Sequence, residues 1–181
     1  MIRDIRKRIQ AAPTPFVITT RLDNDDAISM EFIESIQHAF QPQDKFIINL
    51  NSGYDYYADI RLLTKWNRRY RNSFISLVEN INSSSIYSVY GFPHWKPPAE
   101  AEIVNIEGQP KWIYWRHGMN YSDQEKAGIP VFSKPDCTLF PSTVPSISIS
   151  KVNTMLYFVT WFPKMLKRRL GNIVTFIKKK T

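Results

Sequence analysis

Three carboxylates stand within four residues at Asp23-Asn24-Asp25-Asp26. Like charges at that spacing repel one another and become tolerable when exposed or when a cation neutralises them. Mg²⁺ and Mn²⁺ take carboxylate and water oxygens and bridge to substrate phosphates. The cluster follows directly on Phe16 to Leu22, an apolar and β-branched run that reads as a buried strand. Ligands of α/β sheets bind beyond the carboxyl ends of strands. Asp23 and Asp25 therefore form a strand-end Asp-X-Asp suited to a metal–diphosphate, with Asp26 extending it. The competing reading is a helix start. Asp25, Asp26 or Ser29 would cap a helix whose apolar face is Ile28, Phe32, Ile33, Ile36 and Phe40, ended by Pro42. An EF-hand loop is disfavoured, because its central glycine and terminal Glu are missing.

The elements that must position these acids are mixed. Ile2, Ile5 and Ile9 give a short amphipathic helix, stopped by AAPTP. Phe46 to Leu50 reads as a strand closed by the turn Asn51-Ser52-Gly53. Residues 74–79 and 85–92 read as two strands across an Asn/Ser-rich turn, and 103–115 as a hairpin through Gly-Gln-Pro. Residues 118–148 are rich in Pro, Ser and Gly and read mostly as loop. The fold class is α/β or α+β, with strands dominating the middle.

Over 181 residues the chain is 43% hydrophobic and 22% charged, which implies a packed core rather than disorder. One cysteine, Cys137, excludes an internal disulfide framework, and three dispersed histidines do not make a zinc site. The eight cations of residues 151–181, unaccompanied by any acid, account for the whole net charge of +8. The body, 1–150, is neutral and the tail, 151–181, is basic and apolar. MLYFVTWF (155–162) is too short to span a bilayer, which takes about 20 apolar residues. Pro163 would open a helix with Phe162, Met165, Leu166, Leu170, Ile173, Val174 and Ile177 along one side. That is the pattern of a basic helix lying on an anionic membrane surface. The alternative is a terminal helix docked on the protein's own core.

Interleaved Tyr, Trp and Arg over 54–71 superficially suit nucleic acid. A half-buried helix, with arginines solvated or paired to Asp55 and Asp59, is the favoured reading, and nucleic acid is disfavoured as a partner. Trp95, in the turn GFPHWKPP, offers a face on which a sugar ring could stack, although such a tryptophan more often packs.

The longer string TTRLDNDDAIS (19–29) with FIESIQ (32–37) resembles the putative rhamnosyltransferase family of GT-A-type glycosyltransferases. NSFISLVE (72–79), VYGFPH (89–94) and KWIYWRHGMN (111–120) resemble the later blocks of that family in the same order. The resemblance implies a partial GT-A-like domain over 1–150 that transfers a sugar from a nucleotide-sugar donor to a glycan or lipid-linked acceptor. It implies that Asp23 and Asp25 hold Mn²⁺ or Mg²⁺ and the donor diphosphate. His117 would be a late ligand to the same metal, and Arg21 a contact to phosphate or acceptor. Rhamnose rests on the family name alone.

A divalent cation stabilises a departing diphosphate as a Lewis acid. An inverting reaction also needs a carboxylate base, for which Glu79 is the candidate and Asp123 and Glu100 are rivals. GT-A domains carry further strands ahead of the Asp-X-Asp, whereas 22 residues precede Asp23 here. The expectation is an incomplete copy, or a sheet completed by self-association or a partner chain along the open edge of strand 16–22. The reading places the chain in the cytoplasm, peripheral at the inner face of the membrane. The alternatives are a catalytically inactive glycosyltransferase remnant and a basic membrane- or RNA-binding protein.

Overall fold

The residues Phe46–Leu50 bury completely, because the strand they form has neighbours on both edges and cover on both faces. In the computed structural model the described residues are 2–67, 72–117, 126–133, 135, 137–141, 144 and 146–178, with side chains of the last helix described as far as Lys167. In chain order the elements are α1 (Ile2–Gln10), β1 (Phe16–Thr20), β2 (Ala27–Ile28), α2 (Phe32–His38), β3 (Phe46–Leu50), β4 (Gly53–Tyr57), β5 (Leu62–Trp66), β6 (Ser76–Asn80), β7 (Glu102–Ile106), β8 (Trp112–Arg116), β9 (Ile129–Pro130) and α3 (Lys151–Lys178). The architecture is mixed α/β, with two mixed sheets and a C-terminal helix.

The first sheet has the order β1-β6-β3-β7 and the second β2-β8-β4-β5-β9. They are joined twice. β3 continues into β4 across Asn51-Ser52, and β7 continues into β8 across 107–111. β3 pairs in parallel with β7, Leu50 opposite Ile106, and β4 pairs in parallel with β8, Tyr54 opposite Ile113. The β7–β8 link is three residues the longer in this register, so the pair bends where it passes from sheet to sheet. Backbone bonds from Asn51 N–H to Ile106 O (3.1 Å) and from Lys111 N–H to Ser52 O (2.9 Å) hold the bend.

Trp112, fully buried, sits at that bend. Its indole N–H donates to Leu50 O at 2.7 Å, and the ring stacks on Phe74 at 5.0 Å. Gly53 is required there because a Cβ would overlap the indole. Around Trp112 pack Phe46, Ile48, Leu50 and Val78 from the first sheet, with Phe32 and Ile36 of α2. The opposite face of that sheet presents Ile47, Ile75 and Leu77 to Val89. The second sheet has its own core in Tyr54, Tyr56, Leu63 and Ile113 against Phe140 and Ile147.

Several sequence expectations are corrected. β7 and β8 are not a hairpin: they follow one another along a line and each pairs with a different strand. Residues 85–92 form a turn with a 3-10 segment at Val89–Gly91 rather than a strand. The segment 54–67 is β4, a 3-10 turn and β5 rather than a helix, since cross-strand packing of its aromatics outweighs their helical spacing. Arg68, Arg69, Tyr70 and Arg71 lie outside the described residues. The helix expected from Ile28 begins at Phe32, with Glu31 in the capping position and no side-chain cap. The acids therefore do not cap it. β1 is an edge strand, bonded to β6 on one side only.

α3 runs through Pro163 as one helix instead of starting there. Its first turns are tied to the second sheet by Ser150 N–H to Arg61 O, Asn153 Nδ2 to Ile60 O (2.7 Å) and the Tyr157 hydroxyl to Gly128 O (3.0 Å). Among the described residues no helix is long and apolar enough to cross a membrane. The side chains of Leu170, Ile173, Val174 and Ile177 lie outside the described residues. Gly53→Ala should destabilise the chain by about 1–3 kcal/mol through overpacking against Trp112, read as a lower urea midpoint. An unchanged midpoint would mean that the indole does not fix the bend.

Candidate functional site

The acidic stretch forms a turn laid along β8. Asp26 N–H bonds Asp23 O at 3.3 Å, and β2 then pairs antiparallel with β8, Ala27 opposite Ile113 and Ile28 opposite Trp112. That register carries the acids toward the C-terminal end of β8. Asp26 Oδ1 accepts the Trp115 N–H at 2.9 Å, which pins the turn. As a result Asp25 Oδ2 lies 3.0 Å from Nε2 of His117, although 92 residues separate them. Both side chains remain about one-third exposed, at 35% and 34%.

Arg21 borders the same turn. Its backbone N–H bonds Ile75 O, and Nη2 lies 3.5 Å from Asp23 Oδ2, a long contact. The guanidinium carbon is 6.0 Å from the Tyr90 ring centre, and Nε is buried without a hydrogen-bond partner among the described residues. The Tyr90 hydroxyl grips Leu22, accepting its N–H (3.3 Å) and donating to its carbonyl (3.2 Å). Tyr90 thus fixes the chain as it leaves β1 and enters the acidic turn.

Glu79 is not at this site. The sequence reading relied on its place near a strand end, but β6 runs antiparallel to β1 with Glu79 opposite Val17. It therefore belongs to the end of the sheet away from Asp23. The side chain is fully buried and both oxygens accept backbone N–H groups, from Tyr87 at 2.6 Å and Ser88 at 2.9 Å. Burial raises its pKa, with the two N–H donors opposing. Its visible work is to hold Ser88 at φ 55°, ψ 156°, a backbone region that costs a non-glycine residue about 1–3 kcal/mol. That turn delivers Tyr90 to Leu22. Among the rivals, Glu100 accepts the Tyr87 hydroxyl at 2.9 Å, and Asp123 lies outside the described residues. Trp95 stands on the loop after Tyr90, 64% exposed and edge-on to His94 at 4.9 Å.

A buried ion pair, not foreseen in the sequence reading, lies beside the turn. Arg116 donates from Nε (3.3 Å) and Nη2 (3.2 Å) to Asp55 Oδ2, with the guanidinium 4.5 Å from the Tyr114 ring centre and 5.5 Å from that of Tyr57. The available signal was a lone acid in GYDYY and a lone cation ending WIYWR, opposite charges in aromatic strands. Sequence distance concealed that β4 and β8 pair.

Asp26 is the most perturbed acid of the site. Desolvation pushes its pKa up from 3.8 to about 7, the Trp115 N–H opposes this, and the charges of Asp25, Asp23 and Asp55 add to it. Among the described residues no three His, Cys, Asp or Glu side chains converge as a metal-holding group.

A family model described as putative rhamnosyl transferase matches residues 1–129, spanning both the acidic turn and His117. The chain belongs to that family. Neither a curated protein nor a solved structure matches it. At the level of the family description, the putative rhamnosyl transferase activity is transfer of a sugar.

Because the folded pKa of Asp26 exceeds its unfolded value of 3.8, the stability it contributes is fully present below that value and is lost as pH rises through about 7. Asp26→Asn keeps an acceptor for Trp115 and removes the charge. It should stabilise the chain at pH 8 by about 1–2 kcal/mol, discounted for partial exposure, and leave stability at pH 4 nearly unchanged. Thermal melts at the two pH values check this; a loss of stability at pH 8 would contradict it.

Proposed function

We propose that this chain carries the donor-diphosphate site of a GT-A-like, metal-dependent sugar transferase, with Asp25 and His117 as its metal-holding pair and Asp23 as the neighbouring acid. The Asp25–His117 contact carries the reading. An octahedral ion with bonds of about 2.1 Å sets neighbouring donors about 3.0 Å apart, and Asp25 Oδ2 and His117 Nε2 stand 3.0 Å apart. Two or three protein donors are what such an ion commonly takes, with water and phosphate oxygens filling the remaining positions. The resident ion would be Mn²⁺ or Mg²⁺, which when bound offsets charge building on the departing diphosphate.

The chain's own groups then have separable tasks. Asp25 and His117, one-third exposed, offer an oxygen and a nitrogen to the ion from two different strand ends. Arg21 is loosely held by Asp23 and can turn to a phosphate, where a guanidinium makes forked, charge-assisted bonds. Asp26 faces inward to Trp115 and shapes the turn, a positioning role rather than ligation. The donor would be a nucleotide-sugar, rhamnose following from the family description, and the acceptor a glycan or lipid-linked glycan.

Calorimetric titration of Mn²⁺ with a panel of nucleoside diphosphates tests this. One nucleotide should bind only with metal present, and Asp25→Ala should weaken that binding at least about tenfold, as loss of a charged ligand does. Metal-independent binding, or none by the folded chain, would overturn the reading in favour of a remnant without donor chemistry.

A further inference from the structure

A cavity lies at the end of the second sheet opposite the acidic turn. It has a volume of about 880 Å³ and opens between α3, the β5–β9 edge and the β7–β8 link. Lys65, Lys126 and Lys164 reach it, with Glu107 as the acid among its lining residues, and Trp66 and Trp161 supply its aromatic walls. The acidic turn sits at the C-terminal end of β8, whereas Lys65 and Trp66 lie level with Tyr54 and Gly53 at the start of β4. The cavity therefore belongs to neither the metal-holding residues nor the turn.

α3 roofs this cavity with one face and leaves the other bare. Trp161, Lys164 and Met165 face the cavity, continuing the side on which Asn153 and Tyr157 are bonded to the sheet. On the opposite side Val152, Met155, Leu156, Val159, Phe162 and Leu166 form a stripe at spacings of three and four, each between 42% and 70% exposed. Lys151 and Lys167 flank that stripe, and residues 151–181 contain no acid.

We propose that the cavity binds the phosphate headgroup of an anionic lipid while the outer face of α3 lies in the membrane interface. The ammonium groups of Lys65 and Lys126 suit a phosphodiester, and tryptophans suit the boundary between headgroup and chain. The helix above them presents its apolar stripe to the depth at which the acyl chains begin. A second copy of this chain is the poorer occupant of the stripe, since pairing two such helices brings like charges together without an acid to offset them. This inference does not depend on the sugar-transfer reading.

The probe is dihexanoyl phosphatidylglycerol, kept below micelle formation and followed by tryptophan fluorescence of the full chain, with inorganic phosphate as the soluble comparison. The lipid should bind and phosphate should not displace it at equal concentration. Replacing two cavity lysines together, Lys65→Gln with Lys126→Gln, should weaken lipid binding about tenfold or more while α3 stays intact, checked by circular dichroism. On phosphatidylglycerol vesicles, Val159→Glu should abolish co-sedimentation yet leave short-chain lipid binding unchanged. Equal binding of inorganic phosphate, or an undiminished double variant, would overturn the headgroup site. Undiminished co-sedimentation of Val159→Glu would overturn the placement of α3.

Discussion

Everything in this structure that could do chemistry depends on how the indole of Trp112 lies against the backbone of Gly53. Two strand pairs, β3–β4 and β7–β8, must each pass from one sheet to the next at the same place. Only a residue without a Cβ leaves room there for the ring. The indole N–H and Asn72 Nδ2 both donate to Leu50 O, so the carbonyl at the end of β3 is doubly held. From that anchor β8, paired on both edges, runs out toward Trp115, Arg116 and His117. The acidic turn is then positioned by pairing onto β8 and by the Trp115 N–H, without a helix of its own. Backbone hydrogen bonds fix the site, which suits residues that must keep their spacing while ligands exchange.

The electrostatics follow from the same packing. Asp55 and Arg116 neutralise one another inside the sheet, and breaking such a buried pair from one side leaves an uncompensated charge. Asp26, also turned inward, has a backbone N–H but no cation among the described residues, and its proton is correspondingly hard to lose. Asp23 and Asp25 face outward and stay about one-third exposed. One short acidic stretch is thereby divided into an inward acid and two partly exposed ones, a division set by the direction each side chain points.

Much of this was legible in the residues. FIINL bounds β3 at both ends, and the strand before the acids is present as Phe16–Thr20, half-buried at the sheet edge rather than buried, and ending before Leu22. Asp23 and Asp25 stand out by their spacing and His117 by the family resemblance alone, and the fold brings Asp25 and His117 together. What sequence could not show was pairing across long separations. β7 and β8 read as a hairpin because a Gly-Gln-Pro turn separates two β-rich runs, yet each run's partner lies more than fifty positions upstream. Glu79 read as a base because it nears a strand end. Only the antiparallel register of β6 shows that this end points away from the acids. The aromatic-cationic stretch 54–71 reads as helical because spacing alone does not distinguish a half-buried helix from the two paired strands that its described part, 54–67, forms.

The central claim is that Asp25 and His117 act together on one divalent cation. The three histidines, His38, His94 and His117, allow a direct test by nuclear magnetic resonance of the imidazole ring protons during titration with Mn²⁺ and a nucleoside diphosphate. The account predicts that the His117 signals broaden at substoichiometric Mn²⁺ while those of His38 and His94 persist, and that Asp25→Asn removes the selectivity. Uniform broadening of all three, or a His117 signal that survives saturating Mn²⁺, would contradict it.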